Sequence, residues 1–142
     1  MLMGVLFKNT DITIYNKYYD IENDIDRYQR TVIESVNWQG KRNATVTDKG
    51  LNRDDSILIF VDVNSVEGKQ YISPKRFNKL PPEEMSNYFT LGLNDYIVKG
   101  QIDFEITGRK PNSIADLHEE YDDVVVILGT KDWSVHWEVE CK

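Results

Sequence analysis

Cysteine is nearly missing from this sequence: of 142 residues only Cys141 carries a thiol. With no intrachain partner it excludes a disulfide framework, and it suits a reducing cytoplasm. Long hydrophobic runs are missing too. The first seven residues, MLMGVLF, lack a basic stretch, and their apolar run is far shorter than a signal sequence or a membrane span requires, so no usual export route is expected. Cationic excess is also absent. A formal net charge of −7 argues against duplex DNA or an anionic membrane as the main partner, because binding either depends on Lys and Arg displacing counterions. Glycine is sparse and never clustered. Gly92, Gly100 and Gly108 occur singly, which excludes a phosphate-cradling loop and leaves them as turn residues. No repeat, linker or low-complexity tract divides the chain, whose length fits one core and is short for two. Residues 1–142 are therefore expected to form a single domain.

What the chain does contain is strand-forming sequence. Apolar residues make up 40% and aromatics 11%, and many of them fall at alternate positions, the two-residue period of a half-buried strand. The segment from 93 to 106 is the clearest case. Tyr96 and Val98 alternate with Ile97 and Lys99, then Ile102, Phe104 and Ile106 alternate with Gln101, Asp103 and Glu105, predicting two short strands joined at Gly100. Further strands are expected at 11–15, 27–38, 44–47, 56–61, 70–72, 124–128 and 135–139, with the run Ser56-Ile57-Leu58-Ile59-Phe60-Val61 apolar enough to be covered on both faces. Helix is secondary. Ser73-Pro74 can cap one turn, Pro82 with Glu83 and Glu84 can open another, and Asn112 or Ser113 can cap a two-turn helix whose Ile114, Leu117 and Tyr121 share a side. Eight or so short strands at regular spacing predict a mainly β fold: a small antiparallel β-barrel with one or two short helices, closed or nearly closed, because closure removes exposed edges.

No set of residues reads as a catalytic, cofactor or metal site. Asp20, Glu22, Asp24 and Asp26 put carboxylates at every second position, as at the start of a calcium loop. Ile25 stands where the sharp turn needs glycine, however, and Thr31 where a bidentate glutamate would close the site. A solvated turn accounts for them better. Asp116, Glu119, Glu120, Asp122 and Asp123 form a second acidic cluster, set against the dipole of the short helix and open to reading as a docking patch. His118 and His136 lie in different elements, and Cys141 with Glu138 or Glu140 is the only supplement for a zinc site. Asp103 and Glu105 share a strand face in the manner of a glycosidase carboxylate pair, but polar-out alternation explains them. Trp38, Trp133 and Trp137 lack the interleaved basic residues of a base-stacking platform.

The order of short motifs adds a resemblance. Thr13-Ile14-Tyr15-Asn16, Tyr28-Gln29-Arg30-Thr31-Val32, Val36-Asn37-Trp38-Gln39-Gly40, Thr45-Val46-Thr47-Asp48-Lys49-Gly50, Tyr71-Ile72-Ser73-Pro74-Lys75, Tyr88-Phe89-Thr90-Leu91, Asp95-Tyr96-Ile97-Val98-Lys99-Gly100 and His136-Trp137-Glu138-Val139 follow one another along most of the chain. In that order they resemble proteins of the head-and-neck gene clusters of tailed phages and prophages of Gram-positive bacteria, at the level of head–tail joining, adaptor or stopper proteins. The chain is somewhat long for that group, with an insert from 71 to 88. The resemblance implies a structural virion part rather than an enzyme, present in the host cytoplasm before assembly. It implies portal or connector and tail proteins as partners, and possible ring homo-oligomers. Partner contacts are expected in two polar loops: Asp48, Lys49, Arg53, Asp54 and Asp55 in residues 48–55, and Val63, Asn64, Val66 and Lys69 in residues 62–70. A competing expectation is a ligand-binding or enzymatic barrel with a pocket lined by Trp38, Tyr96 and Phe104, and a third is another minor capsid or tail-completion protein.

Overall fold

The structure, a computed structural model, describes the backbone of residues 8–47, 50–66, 68–133 and 136–142, and the side chains of those residues other than 41–47, 50–55 and 65. Among the described residues, eight strands run in the order β1 (Thr10–Asp20), β2 (Ile25–Thr47), β3 (Gly50–Val61), β4 (Gln70–Tyr71), β5 (Tyr88–Phe89), β6 (Tyr96–Lys99), β7 (Val124–Asp132) and β8 (Trp137–Cys141). Six of them close a barrel in the order β1-β2-β3-β8-β7-β6, with every neighbouring pair antiparallel. The small β-barrel expected from the alternating pattern is therefore present.

Strand alternation builds its interior. Ile12 and Ile14 of β1, Ile33, Val36 and Trp38 of β2, Ile59 and Val61 of β3, Ile97 of β6, Val125 and Ile127 of β7, and Val139 and Cys141 of β8 form one buried cluster. Each fully buried aliphatic side chain of this kind stabilises the fold by about 1.5–3 kcal/mol. The long strand β2 serves two partners by bending. It pairs with β1 as far as Val36 and with β3 from Asn37 onward. At the corner Glu34 and Ser35 oppose the single residue Asp11, a β-bulge. Ser35 takes a left-handed φ of 62° there, and its N–H donates to Asp11 Oδ1 at 2.8 Å.

The strand covered on both faces is β1 rather than β3. Residues 12–16 are all buried, because Thr13 and Tyr15, which face away from the barrel, lie beneath the segment that follows β6. That segment was expected to be a strand at 101–106, and it is not one. Its apolar alternation is real, since Phe104 and Ile106 join Tyr15, Val98 and Leu117 in a second buried cluster. Its backbone, however, is bonded by side chains instead of a ladder. The Ile102 N–H donates to Thr13 Oγ1 at 3.0 Å, the Tyr15 hydroxyl donates to the Phe104 carbonyl at 2.7 Å, and Arg30 Nη1 donates to the Ile102 carbonyl at 3.0 Å. Gly100, at φ +95°, turns the chain out of β6 in a conformation that favours glycine. The helix α2 (Ile114–Glu120) completes this cover. Ser113 caps it and Asp116 returns the bond, a full capping box.

The connection from β3 to β6, residues 62–95, crosses the barrel end where β1, β3 and β7 finish. It contributes Phe89 and Leu91 to the barrel cluster, with Val63, Val66 and Tyr71 packed against it. A short helix α1 (Pro74–Phe77), capped by Ser73 with proline in its first turn, buries Phe77 completely. In the C-terminal hairpin, residues 129–132 belong to β7 rather than to the connection, and Leu128 sits at a register shift between Ile127 and Gly129. Ser134 and Val135 lie outside the described residues.

Candidate functional site

Two features stand out from the barrel wall, one at each end. The first is a two-stranded ribbon. Beyond Gly40 and Ile57, residues 41–47 of β2 and 50–56 of β3 pair with one another. Among the described residues, β1 leaves β2 at Val36 and β8 leaves β3 at Ile57, so no further strand flanks the ribbon. At ~3.3 Å per residue the seven paired positions of the ribbon span roughly 20 Å. Arg53, Asp54 and Asp55, expected in a loop, are strand residues here: Ala44 stands opposite Arg53, Asn43 opposite Asp54 and Arg42 opposite Asp55. The polar composition of residues 48–55 suggested a loop. Cross-strand pairing nevertheless keeps residues 52–55 extended. Asp48 and Lys49 lie outside the described residues.

The other expected contact loop is bound into the fold. Val63 and Asn64 lie in a single 3-10 turn, Val63–Ser65, capped by Asp62. Val63 and Val66 pack on the barrel core. Lys69 Nζ donates to Thr31 Oγ1 at 2.8 Å, with its pKa lowered by burial and by nearby Arg30. Among the described residues of this segment, Val63, Val66 and Lys69 are thus engaged with the barrel. The ribbon and this segment extend from opposite ends of the barrel, so the two predicted contact sets do not meet.

At the closed end lies the second feature, a groove of about 350 Å³ bounded by Lys17, Tyr19, Asp26, Asn78, Leu93 and Asp95. Asp95 is its buried floor. Its Oδ2 accepts from Asn16 Nδ2 at 2.8 Å and from the Gly92 N–H at 3.0 Å, and its Oδ1 accepts from the Lys17 N–H at 3.1 Å. Burial raises its pKa, against the lowering effect of these bonds. Asn16 completes the knot by donating to the Thr90 carbonyl at 2.8 Å and accepting from the Thr90 N–H at 3.1 Å. A Cβ on Gly92 would sit 2.8 Å from Asp95 Oδ2, so only glycine admits this approach. With three N–H donors converging on it, the carboxylate fastens the 90–96 turn to β1. Lys17 is engaged by Asp26 at 3.4 Å. Sequence reasoning missed this network, for Asn16 and Asp95 are 79 residues apart and neither carries a local signal.

The remaining sequence candidates resolve into structural roles. Asp20 organises the β1–β2 turn: it accepts from the Glu22 N–H at 3.1 Å, Asn23 Nδ2 at 2.8 Å and Arg27 Nε at 2.6 Å. The Asn23 and Arg27 bonds hold its pKa at about 2. Among the described residues no group of three or more His, Cys, Asp or Glu side chains is arranged to hold a metal ion. Asp116 belongs to the first turn of α2, where its bonds with Ser113 lower its pKa, and so leaves the acidic cluster expected at the other end. Glu105 pairs with Arg30 at 2.7 Å. His118 stands edge-on to Tyr96 and His136 edge-on to Phe60. Burial holds the Cys141 thiol near a pKa of about 12. Trp38 is in the barrel core, Trp137 packs on Tyr71, and exposed Trp133 donates to Glu138 at 2.8 Å, so the three tryptophans form no shared platform. Nor do Trp38, Tyr96 and Phe104 line one pocket: Trp38 belongs to the barrel cluster, the other two to the cluster beneath α2.

Among the described residues, no helix is long and apolar enough to cross a membrane. Both the ribbon and the Asp95 knot lie within the span, residues 7–142, that matches the sequence model of a protein family. The chain belongs to the family of unknown function DUF6751. No curated protein and no solved structure matches it. In this DUF6751 chain, then, the functional reading rests on the barrel, its closed end and its ribbon.

Proposed function

We propose that this chain is a structural component of a tailed-phage virion at the head–tail connection, a joining or stopper-like subunit held between portal or connector and tail proteins. The observation that carries the reading is the ribbon. A closed barrel with a packed interior supplies a rigid body, and a two-stranded arm whose edges no described strand flanks supplies a grip for neighbours. Arg53, Asp54 and Asp55 lie on that arm. The motif order from Thr13-Ile14-Tyr15-Asn16 to His136-Trp137-Glu138-Val139 gives the setting, and the net charge of −7 suits a part lining a channel through which DNA must pass without sticking. The work assigned is mechanical, with no reaction, and takes place in the virion after synthesis in the host cytoplasm.

The test is made in the phage or prophage that encodes the chain. Residues 41–56 are replaced by Asn-Gly, a two-residue turn that joins the paired positions Gly40 and Ile57. The expected result is DNA-filled heads and finished tails that remain separate. Infectious, joined particles at the parental titre overturn the proposal, as does a gene neighbourhood without portal, capsid or tail genes.

A further inference from the structure

The groove over Asp95 has two features that the Asp95 knot does not use. Its rim is apolar where it meets solvent: Leu93 is 67% exposed and Tyr19 54% exposed, and both line the groove together with Pro74 and Asn78 of α1. Large apolar side chains left open beside a concave surface mark a contact site. The second feature is charge. From Gly68 to Pro82 the chain has no carboxylate and four cations, Lys69, Lys75, Arg76 and Lys79, in a sequence where Asp and Glu outnumber Lys and Arg by 24 to 17. Lys69 is engaged at Thr31. Lys75, Arg76 and Lys79 are exposed and, among the described residues, hold no ion pair. Lys75 follows Pro74 in the chain and Lys79 follows Asn78, so both stand beside the two α1 residues that line the groove.

We propose that this groove docks an acidic segment of a partner protein, its carboxylates against Lys75, Arg76 and Lys79 and a large apolar side chain against Leu93 and Tyr19. The surface is separate from the ribbon: Lys17, Tyr19 and Asp26 belong to the pairing at the start of β2, whereas the ribbon begins at residue 41 of that strand. Complementary charge and the open apolar rim together select this occupant. Lys17 is already engaged by Asp26, so the attracting charge comes from α1 and Lys79. A nucleic acid fits less well. Its phosphates form an unbroken row of charge, which meets Asp26 in the groove as well as the three cations, and it makes no use of Leu93. A peptide places its charges one by one. Because the cations are exposed, their attraction governs choice of partner and speed of encounter, and it weakens as salt rises.

Fluorescence anisotropy of the full chain with labelled probes tests this. One set of peptides alternates glutamate with leucine or tryptophan, a second has lysine in place of glutamate, a third has serine in place of the apolar residues, and a single-stranded oligonucleotide is the fourth probe. Binding of the first set above all others is expected, falling as salt rises. Lys75→Glu with Lys79→Glu should weaken it about tenfold or more, and Leu93→Ser about fivefold or more. Arg109→Glu, which reverses an exposed cation outside the groove, should leave it unchanged. The Lys75→Glu, Lys79→Glu variant should instead take up the lysine peptides, which shows that the groove is still formed. Binding shared equally by the glutamate and lysine sets, binding that survives Lys75→Glu with Lys79→Glu, or no binding of any peptide overturns the proposal. An oligonucleotide that binds more tightly than every peptide and is lost with the same two substitutions overturns it as well, by making the patch a polyanion site. The virion test above removes the ribbon and leaves the groove in place, so it judges the other reading separately.

Discussion

The first turns of β1 and the far half of the β2–β3 ribbon are both regular antiparallel strand, yet they are held in opposite ways. Residues 12–16 are buried on both faces, flanked by β2 and β6, and tied by side chains to segments far along the chain. Residues 41–47 and 50–56 have one another and, among the described residues, no further strand. Strand geometry alone therefore does not separate core from instrument. What separates them is which edges and faces the described part of the chain has already occupied.

Substitutions can be ranked by this contrast. The largest effect is expected at the doubly covered strand: Ile14→Ala opens a cavity in the barrel and should cost about 2–5 kcal/mol in guanidinium unfolding. A loss below about 1 kcal/mol would mean that the barrel collapses around the gap far better than its packing suggests. Next comes the knot at the closed end. Asp95→Asn keeps the shape but turns an amide N–H toward one of three N–H donors, and should cost about 1–3 kcal/mol. Burial raises the Asp95 pKa in the folded chain, so the folded state holds that proton more tightly than the unfolded state. The stability contributed by this group is then fully present below the unfolded carboxylate value, about 4, and declines as pH rises through the folded value. The stability gap between the parent and Asp95→Asn should accordingly narrow as pH rises across that window, and urea titrations at several pH values that find it widening contradict the assignment. A smaller effect is expected where only a cap is removed: Ser113→Ala takes the bond from the Asp116 N–H and should cost about 1 kcal/mol, read in the same unfolding experiment.

How much of this was legible beforehand follows from where the causes lie. The alternation at Ile12, Ile14, Ile57, Ile59, Ile97 and Val139 sits in the local sequence, and it carried the barrel; Ser73-Pro74 and Ser113 carried the helix starts for the same reason. The misreadings have non-local causes. Residues 101–106 alternate like a strand, but their backbone is bonded by Thr13, Tyr15 and Arg30, side chains more than 70 residues away in sequence. Val63 and Val66 looked like loop residues among Asn, Ser and Gly, and became core only because the β3–β6 connection folds back over the barrel end. Residues 52–55 looked like a loop because polar composition normally marks the absence of a sheet. Here the β2 strand itself supplies the pairing. The turn Asp48-Lys49-Gly50 and the short strand before it were the available signal for a hairpin, and following the pairing outward from that turn would have found the ribbon.

The most direct test of the division between a self-sufficient barrel and a ribbon kept for partners is the unfolding free energy of the isolated chain after residues 41–56 are replaced by Asn-Gly. The barrel ladders, the closed end and the cluster beneath α2 all survive that excision, so stability within about 0.5 kcal/mol of the parent is expected, the range for changes away from a core. A loss of about 2 kcal/mol or more, comparable to a core deletion, would show that the barrel leans on the ribbon and would contradict the account.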